Sequence, residues 1–223
     1  YYKMDYSAGV DISNYKNIKV PTSYMGVNSK YDFEGGYEND TKGGMLHVAS
    51  HHFSPGKKQW TWGNGDFGRA WDRCLTDEAP LTPPTGGWKG EVTDFFPTGN
   101  EEKIFRPYIE LMAGVYTENQ PDFTWLMPYE EKQFVQYFMP YRDLGIVKQA
   151  SKDFVMNIHE DGRLQVYATA KQEVEISVIT HHSQCLLRKT VTLSPEVLFD
   201  EVIDLQGHSI NELSVYLSRP DVA

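Results

Sequence analysis

The run PYIELMAGVYTENQPDFTWLMPYEEKQFVQYFMPY, residues 107–141, carries the reading of the fold. It has two strand-like ends joined by a polar, aromatic-bearing loop. Side chains alternate faces on an extended chain, so Ile109, Leu111, Ala113 and Val115 fall on one side and Tyr108, Glu110 and Met112 on the other. Glu110 is therefore a carboxylate set between two large side chains. It reads either as an acid on a half-buried strand turned to water or as a base in a groove.

Upstream, residues 43–52 read GGMLHVASHH. Alternation puts Met45, His47, Ala49 and His51 on one face and Leu46, Val48 and His52 on the other. On a strand His47 and His51 would lie ~13 Å apart, too far to share a metal ion. A single neutral histidine can still move a proton or bond a sugar hydroxyl, so His47, His51 and His52 are all candidates for catalysis. The competing reading is a histidine hydrogen-bonded in place.

Residues 57–75, KKQWTWGNGDFGRAWDRCL, hold the densest chemistry. Trp60 and Trp62 would share one strand face ~6.6 Å apart, close to the span of a pyranose ring. Sugars offer apolar C–H faces and hydroxyl edges, so flat aromatics beside hydrogen-bonding side chains make a site for them. Asp66 and Arg69 supply such groups here, as Gln120, Asp122 and Trp125 do in the later loop. Core filling is the alternative for the tryptophans. Asp66 also suits the N-cap of a two-turn helix carrying Phe67, Ala70, Trp71 and Cys74. The spacing of Asp66, Asp72, Asp77 and Glu78 matches no EF-hand loop, and no metal or cofactor is expected.

With 223 residues and 40% hydrophobic side chains, the chain has enough apolar material for a core. Its 21 Lys and Arg against 31 Asp and Glu give a net charge of −10. That balance repels phosphate backbones and anionic lipid, which argues against nucleic acid and membrane as partners. No apolar run approaches the ~20 residues of a membrane span, and no targeting segment is visible, so cytoplasm and periplasm both stay open. Cys74 and Cys185 form no CxxC or Cys/His pattern.

Residues 76–106 hold Pro80, Pro83, Pro84 and Pro97 among several glycines and read as one long loop folded over the groove rim. After Tyr141 the pattern becomes short alternating strands. Phe154/Met156/Ile158 and Leu164/Val166/Ala168 flank a hairpin turn at Asp161-Gly162. Val174/Ile176/Val178, residues 189–193, residues 202–205 and Leu213/Val215/Leu217 follow, with Ser194-Pro195-Glu196 reading as a single helical turn. This is the pattern of a small β-sandwich, immunoglobulin-like in general shape, over residues 149–223.

The series GGMLHVASHHFSPGKKQWTWGNGDFGRAWDRCLTDE followed by PYIELMAGVYTENQPDFTWLMPYEEKQFVQYFMPY resembles a bacterial family, domain of unknown function 5107, whose members are often followed by tetratricopeptide repeats. The resemblance runs over residues 1–148, with 79–106 reading as an insertion. It implies an all-β fold similar to the C-terminal part of a galactose mutarotase-like supersandwich, whose relatives bind or process carbohydrate. Glu110 then corresponds to the glutamate that takes the anomeric hydroxyl proton. Gln120-Pro121-Asp122 and Pro128-Tyr129-Glu130 match the following loop and turn in arrangement. A supersandwich has a first half that would precede Tyr1, so the chain reads as a fragment or processed product. The missing N-terminal half or a second chain would be its partner.

Three functions fit these residues. As an enzyme, the chain would use Glu110 as base or nucleophile at an anomeric carbon, as an aldose epimerase or a glycoside hydrolase does. As a binding module it would keep the Trp60/Trp62 platform, with Asp66, Arg69, Gln120, Asp122 and Trp125 as its polar and aromatic rim, and no proton relay. As a structural β-module of a larger repeat-containing protein it would bury those aromatics.

Overall fold

The computed structural model describes residues 14–26, 29–65, 109–115 and 124–220. It is all-β and antiparallel. The strands are β1 (Thr22–Met25), β2 (Phe33–Glu38), β3 (Gly43–Ala49), β4 (Gly56–Thr61), β5 (Ile109–Gly114), β6 (Gln136–Arg142), β7 (Gln149–Ala150), β8 (Phe154–Ile158), β9 (Arg163–Ala168), β10 (Gln172–Thr180), β11 (Cys185–Leu193), β12 (Phe199–Val202) and β13 (Leu213–Ser218). Among the described residues the helical pieces are two single 3-10 turns, Tyr15–Asn17 and Ile210–Glu212. No helix of the described residues is long and apolar enough to cross a membrane.

The chain divides into two compact units, one of Lys30–Phe53 with Gln133–Ala223 and one of Tyr2–Ser29 with Ser54–Lys132. The first is a stack of three sheets, in strand orders β2-β3-β6, β12-β9-β8-β7 and β11-β10-β13. Alternation explains the stacking. On β8 and β9 the residues Phe154, Met156, Ile158, Leu164, Val166 and Ala168 face β10 and β13, meeting Val174, Ile176 and Val178 in one core. The intervening Val155 and Tyr167 face the other way and join Phe33, Leu46, Val48, Met139 and Tyr141 in a second core. A strand covered on both sides has consecutive buried residues, and Leu164, Gln165 and Val166 are all buried.

The Asp161-Gly162 turn closes the β8–β9 hairpin as its sequence requires. Gly162 sits at φ +86°, and a Cβ there would come within 2.4 Å of the Ile203 carbonyl oxygen. Asn157 donates to the Leu144 carbonyl at 2.6 Å, and Gln165 to that of Asp143 at 3.1 Å, fastening the link after β6 to the middle sheet. Tyr141 stacks on Tyr37 and donates its hydroxyl to the Gly145 carbonyl. Burial, and then the neighbouring Tyr37, push its phenol well above the usual range, so the donor keeps its proton.

The structure corrects two local expectations. Residues 195–196 form a turn closed by the Ser194↔Val197 bridge, not a helical turn, because both flanks are extended. The strand expected over 202–205 runs over Phe199–Val202, paired with β9. The ends of the 107–141 run are both strands, but β5 pairs with β4 and β6 with β3, in different sheets.

The second unit contains the three-stranded sheet β1-β4-β5. Its central strand β4 is buried along its length except at Trp60, which is half-buried. Lys57 is fully enclosed and donates its ammonium to the Ser54 carbonyl at 3.0 Å, the kind of partner a buried charge requires.

Candidate functional site

In the sheet β1-β4-β5 the register sets Ser23, Trp60 and Glu110 side by side, with Met25, Lys58 and Met112 in the next row of the same face. Glu110 is thus the direct cross-strand neighbour of a half-buried tryptophan. Trp62 follows the end of β4 and meets Trp60 edge to face, with ring centroids 5.5 Å apart and planes at 76°. The expected flat platform is instead a corner: one indole offers a face, the other a wall.

The loop after β4 holds Trp62 in that position. Gly63 lies at φ +80° and accepts the Tyr15 hydroxyl on its carbonyl at 3.1 Å, while its amide donates to Thr61 Oγ1. The Asn64 amide donates to the Ile18 carbonyl at 2.6 Å. A Cβ on Gly63 would come within 2.8 Å of three backbone atoms of Val20. Gly63→Ala combines a left-handed conformation with a backbone clash, so it is expected to destabilise this unit by about 2 kcal/mol. It should also shift the tryptophan fluorescence as the corner opens; thermal melts followed by that emission check both effects.

The histidines occupy the other unit. His47 on β3 is 2% exposed and lies between two neighbours on its own sheet. Its Nδ1 faces Glu34 Oε1 of β2 at 3.4 Å, its Nε2 lies 3.1 Å from Gln136 Oε1, and its ring stacks on Phe138 at 4.3 Å. The ring is thus held by Nε2 and by stacking, while Nδ1 makes no hydrogen bond and only faces the Glu34 carboxylate at ion-pair distance. The expected continuation of β3 through His52 does not occur: the strand ends at Ala49 and His51–Phe53 form a turn closed by Phe53 N–H to the Ser50 carbonyl. His51 is anchored by its amide on Asp32 Oδ1 at 2.5 Å, and His52 is exposed against Phe53.

The candidates are divided between the two units. Trp60, Trp62 and Glu110 are brought together, whereas His47, His51 and His52 lie in the unit that does not contain Glu110. Trp125 is 76% exposed on an irregular arm with Leu126, Met127 and Tyr129. That arm is tied to the end of β5 by the Lys132 ammonium on the Val115 carbonyl. Asp66, Arg69, Gln120, Asp122, the helix expected after Asp66 and the loop at 76–106 lie outside the described residues. Among the described residues no group of three or more His, Cys, Asp or Glu is placed to hold a metal ion. Sequence reasoning missed Glu34, Gln136 and Phe138, because only the pairing of β2, β3 and β6 reveals them as neighbours of His47.

Comparison with known families gives two partial matches. Residues 3–82 match a domain of unknown function (DUF5107), a stretch that includes β1 to β4 and both tryptophans and stops short of Glu110. Residues 149–221 match the YphG-like protein, second domain, and span β7 to β13. No solved structure matches the chain.

Proposed function

We propose that this protein binds carbohydrate on the β1-β4-β5 sheet, with Trp60 and Trp62 as the aromatic corner and Glu110 as the acceptor for sugar hydroxyls. The observation that carries this reading is the register Trp60↔Glu110 with Trp62 edge-on beside it. A pyranose laid on one indole presents its C–H face to the ring and its hydroxyl edge to the carboxylate, using both halves of the sugar's surface. The reading keeps the link to the galactose mutarotase-like superfamily and to tetratricopeptide-containing proteins as part of the proposal.

Catalysis at Glu110, as in an epimerase or a glycoside hydrolase, needs a proton partner. The unit that carries Glu110 contains none of the seven histidines. A second carboxylate could serve as that partner in place of a histidine; binding needs only the Trp60–Glu110 register, which is why it is proposed first.

A panel of mono- and oligosaccharides, scored by thermal shift and then by calorimetry, tests it. A ligand at 100 times its Kd should stabilise the folded protein by about 2.7 kcal/mol. Trp60→Ala is expected to weaken binding by about 30-fold, the size of a stacking hot spot, and Glu110→Gln by about 10-fold. A panel without a single binder, or a shift that Trp60→Ala retains in full, would overturn the proposal.

A further inference from the structure

Every sheet of the Lys30–Phe53/Gln133–Ala223 unit has two edges, and all but one of those edge strands carry a device against pairing with another chain. Among the described residues β11 carries Arg188 and Lys189, β12 carries Asp200 and Glu201, and β2 carries the exposed Glu38. Strand β6 contains Pro140, which has no amide to donate, together with Arg142, and β7 is two residues long. Charge, proline and shortness are the usual means of blunting an edge. Strand β13, Leu213-Ser214-Val215-Tyr216-Leu217-Ser218, has none of them. It pairs with β10 on one side and with no other strand among the described residues, and its Tyr216 is 56% exposed.

We propose that β13 is a self-association edge, along which two copies of this chain pair antiparallel about a two-fold axis at Tyr216. Side chains directly opposite each other in an antiparallel pair share a face. With Tyr216 on the axis, Tyr216 meets its own copy, Val215 meets Leu217 and Ser214 meets Ser218. Each of these pairs is compatible, and no like charges are opposed.

Val215 and Leu217 already pack against the sandwich core, so pairing continues that apolar row into the second copy. The same operation at β11 or β12 would set lysine and arginine, or two acids, against their like. That contrast selects a second copy at β13 over the other edges. The order β11-β10-β13 then becomes a six-stranded sheet across the dimer, closed as a two-fold interface is.

The proposal is independent of sugar binding and is tested on the whole chain by light scattering and sedimentation from low micromolar to submillimolar concentration. Wild type should convert from monomer to dimer. Tyr216→Lys and Tyr216→Glu each set like charges on the axis at an exposed position, and each should stay monomeric while melting as wild type does at low micromolar concentration, where wild type is monomeric. Mixed one to one, they should form a heterodimer, because the two charges then oppose each other. A monomeric wild type across the range, variants that dimerise as wild type does, or a mixture that stays monomeric would each overturn the proposal.

Discussion

Leu164→Ala is expected to destabilise the three-sheet unit by about 3 kcal/mol and to lower its melting temperature by about 10 °C. Leu164 is fully enclosed on β9, between β8 and β12, in the sheet that has other sheets on both sides. Its neighbours Ile158, Val166, Ile176 and Ile203 are themselves buried, so they have little freedom to collapse into the space that alanine leaves. Val202→Ala is the matched control. Val202 lies on the edge strand β12, is 67% exposed, and should change stability by less than about 0.5 kcal/mol. Equal shifts for the two variants would mean that the middle sheet is not the packed centre of the unit.

Glu34→Ala should cost a comparable amount, about 3 kcal/mol, by a different route. The Glu34 carboxylate is buried beside His47 Nδ1 at 3.4 Å, and His47 Nε2 is turned to the Gln136 amide oxygen. His47 Nδ1 makes no hydrogen bond to the acid, so the loss is that of a buried charge contact and of the volume the side chain fills, and it is larger than that of an exposed pair. The double variant Glu34→Ala/His47→Ala separates coupling from simple cavity formation. A coupled pair makes the double variant less damaging than the sum of the single ones by about 1–3 kcal/mol, whereas strict additivity would deny the interaction. The same measurement bears on function, since a histidine whose main role is to hold β2, β3 and β6 together is a poor candidate for catalysis.

The all-β architecture was legible in the chain. The alternations Leu164/Val166/Ala168, Val174/Ile176/Val178 and Leu213/Val215/Leu217 mark the strands that share the sandwich core, and Asp161-Gly162 marks its hairpin. Alternation also sorted Leu46 and Val48 from His47 correctly. It did not reveal that Val155 and Tyr167, on the reverse face of β8 and β9, meet a third sheet. That sheet is built from residues 33–49 and 136–142, which lie far from β8 and β9 in sequence or beyond an intervening turn.

For the site, residue type and spacing marked Trp60 and Trp62 as a pair for binding, and Glu110 as a candidate base alongside His47, His51 and His52. They were not enough to join Glu110 to the tryptophans. Glu110 lies fifty positions from Trp60, and only the β4–β5 register makes the two neighbours. Nor could spacing show that Trp62 leaves the strand and turns edge-on, because that depends on Gly63 closing onto Val20 and Tyr15.

By itself, then, the sequence determined the all-β class, the strands that share the sandwich core and the apolar face each turns to it, the hairpin at Asp161-Gly162, and the acidic charge balance. These are properties of single residues or of near neighbours along the chain. The tertiary structure decided which strands pair, that one sheet is covered on both sides, that the histidines and Glu110 belong to different units, and that β13 is an edge without a guard. Each of these depends on contacts between distant segments, whose register follows from the packing of whole faces and not from any one stretch read alone.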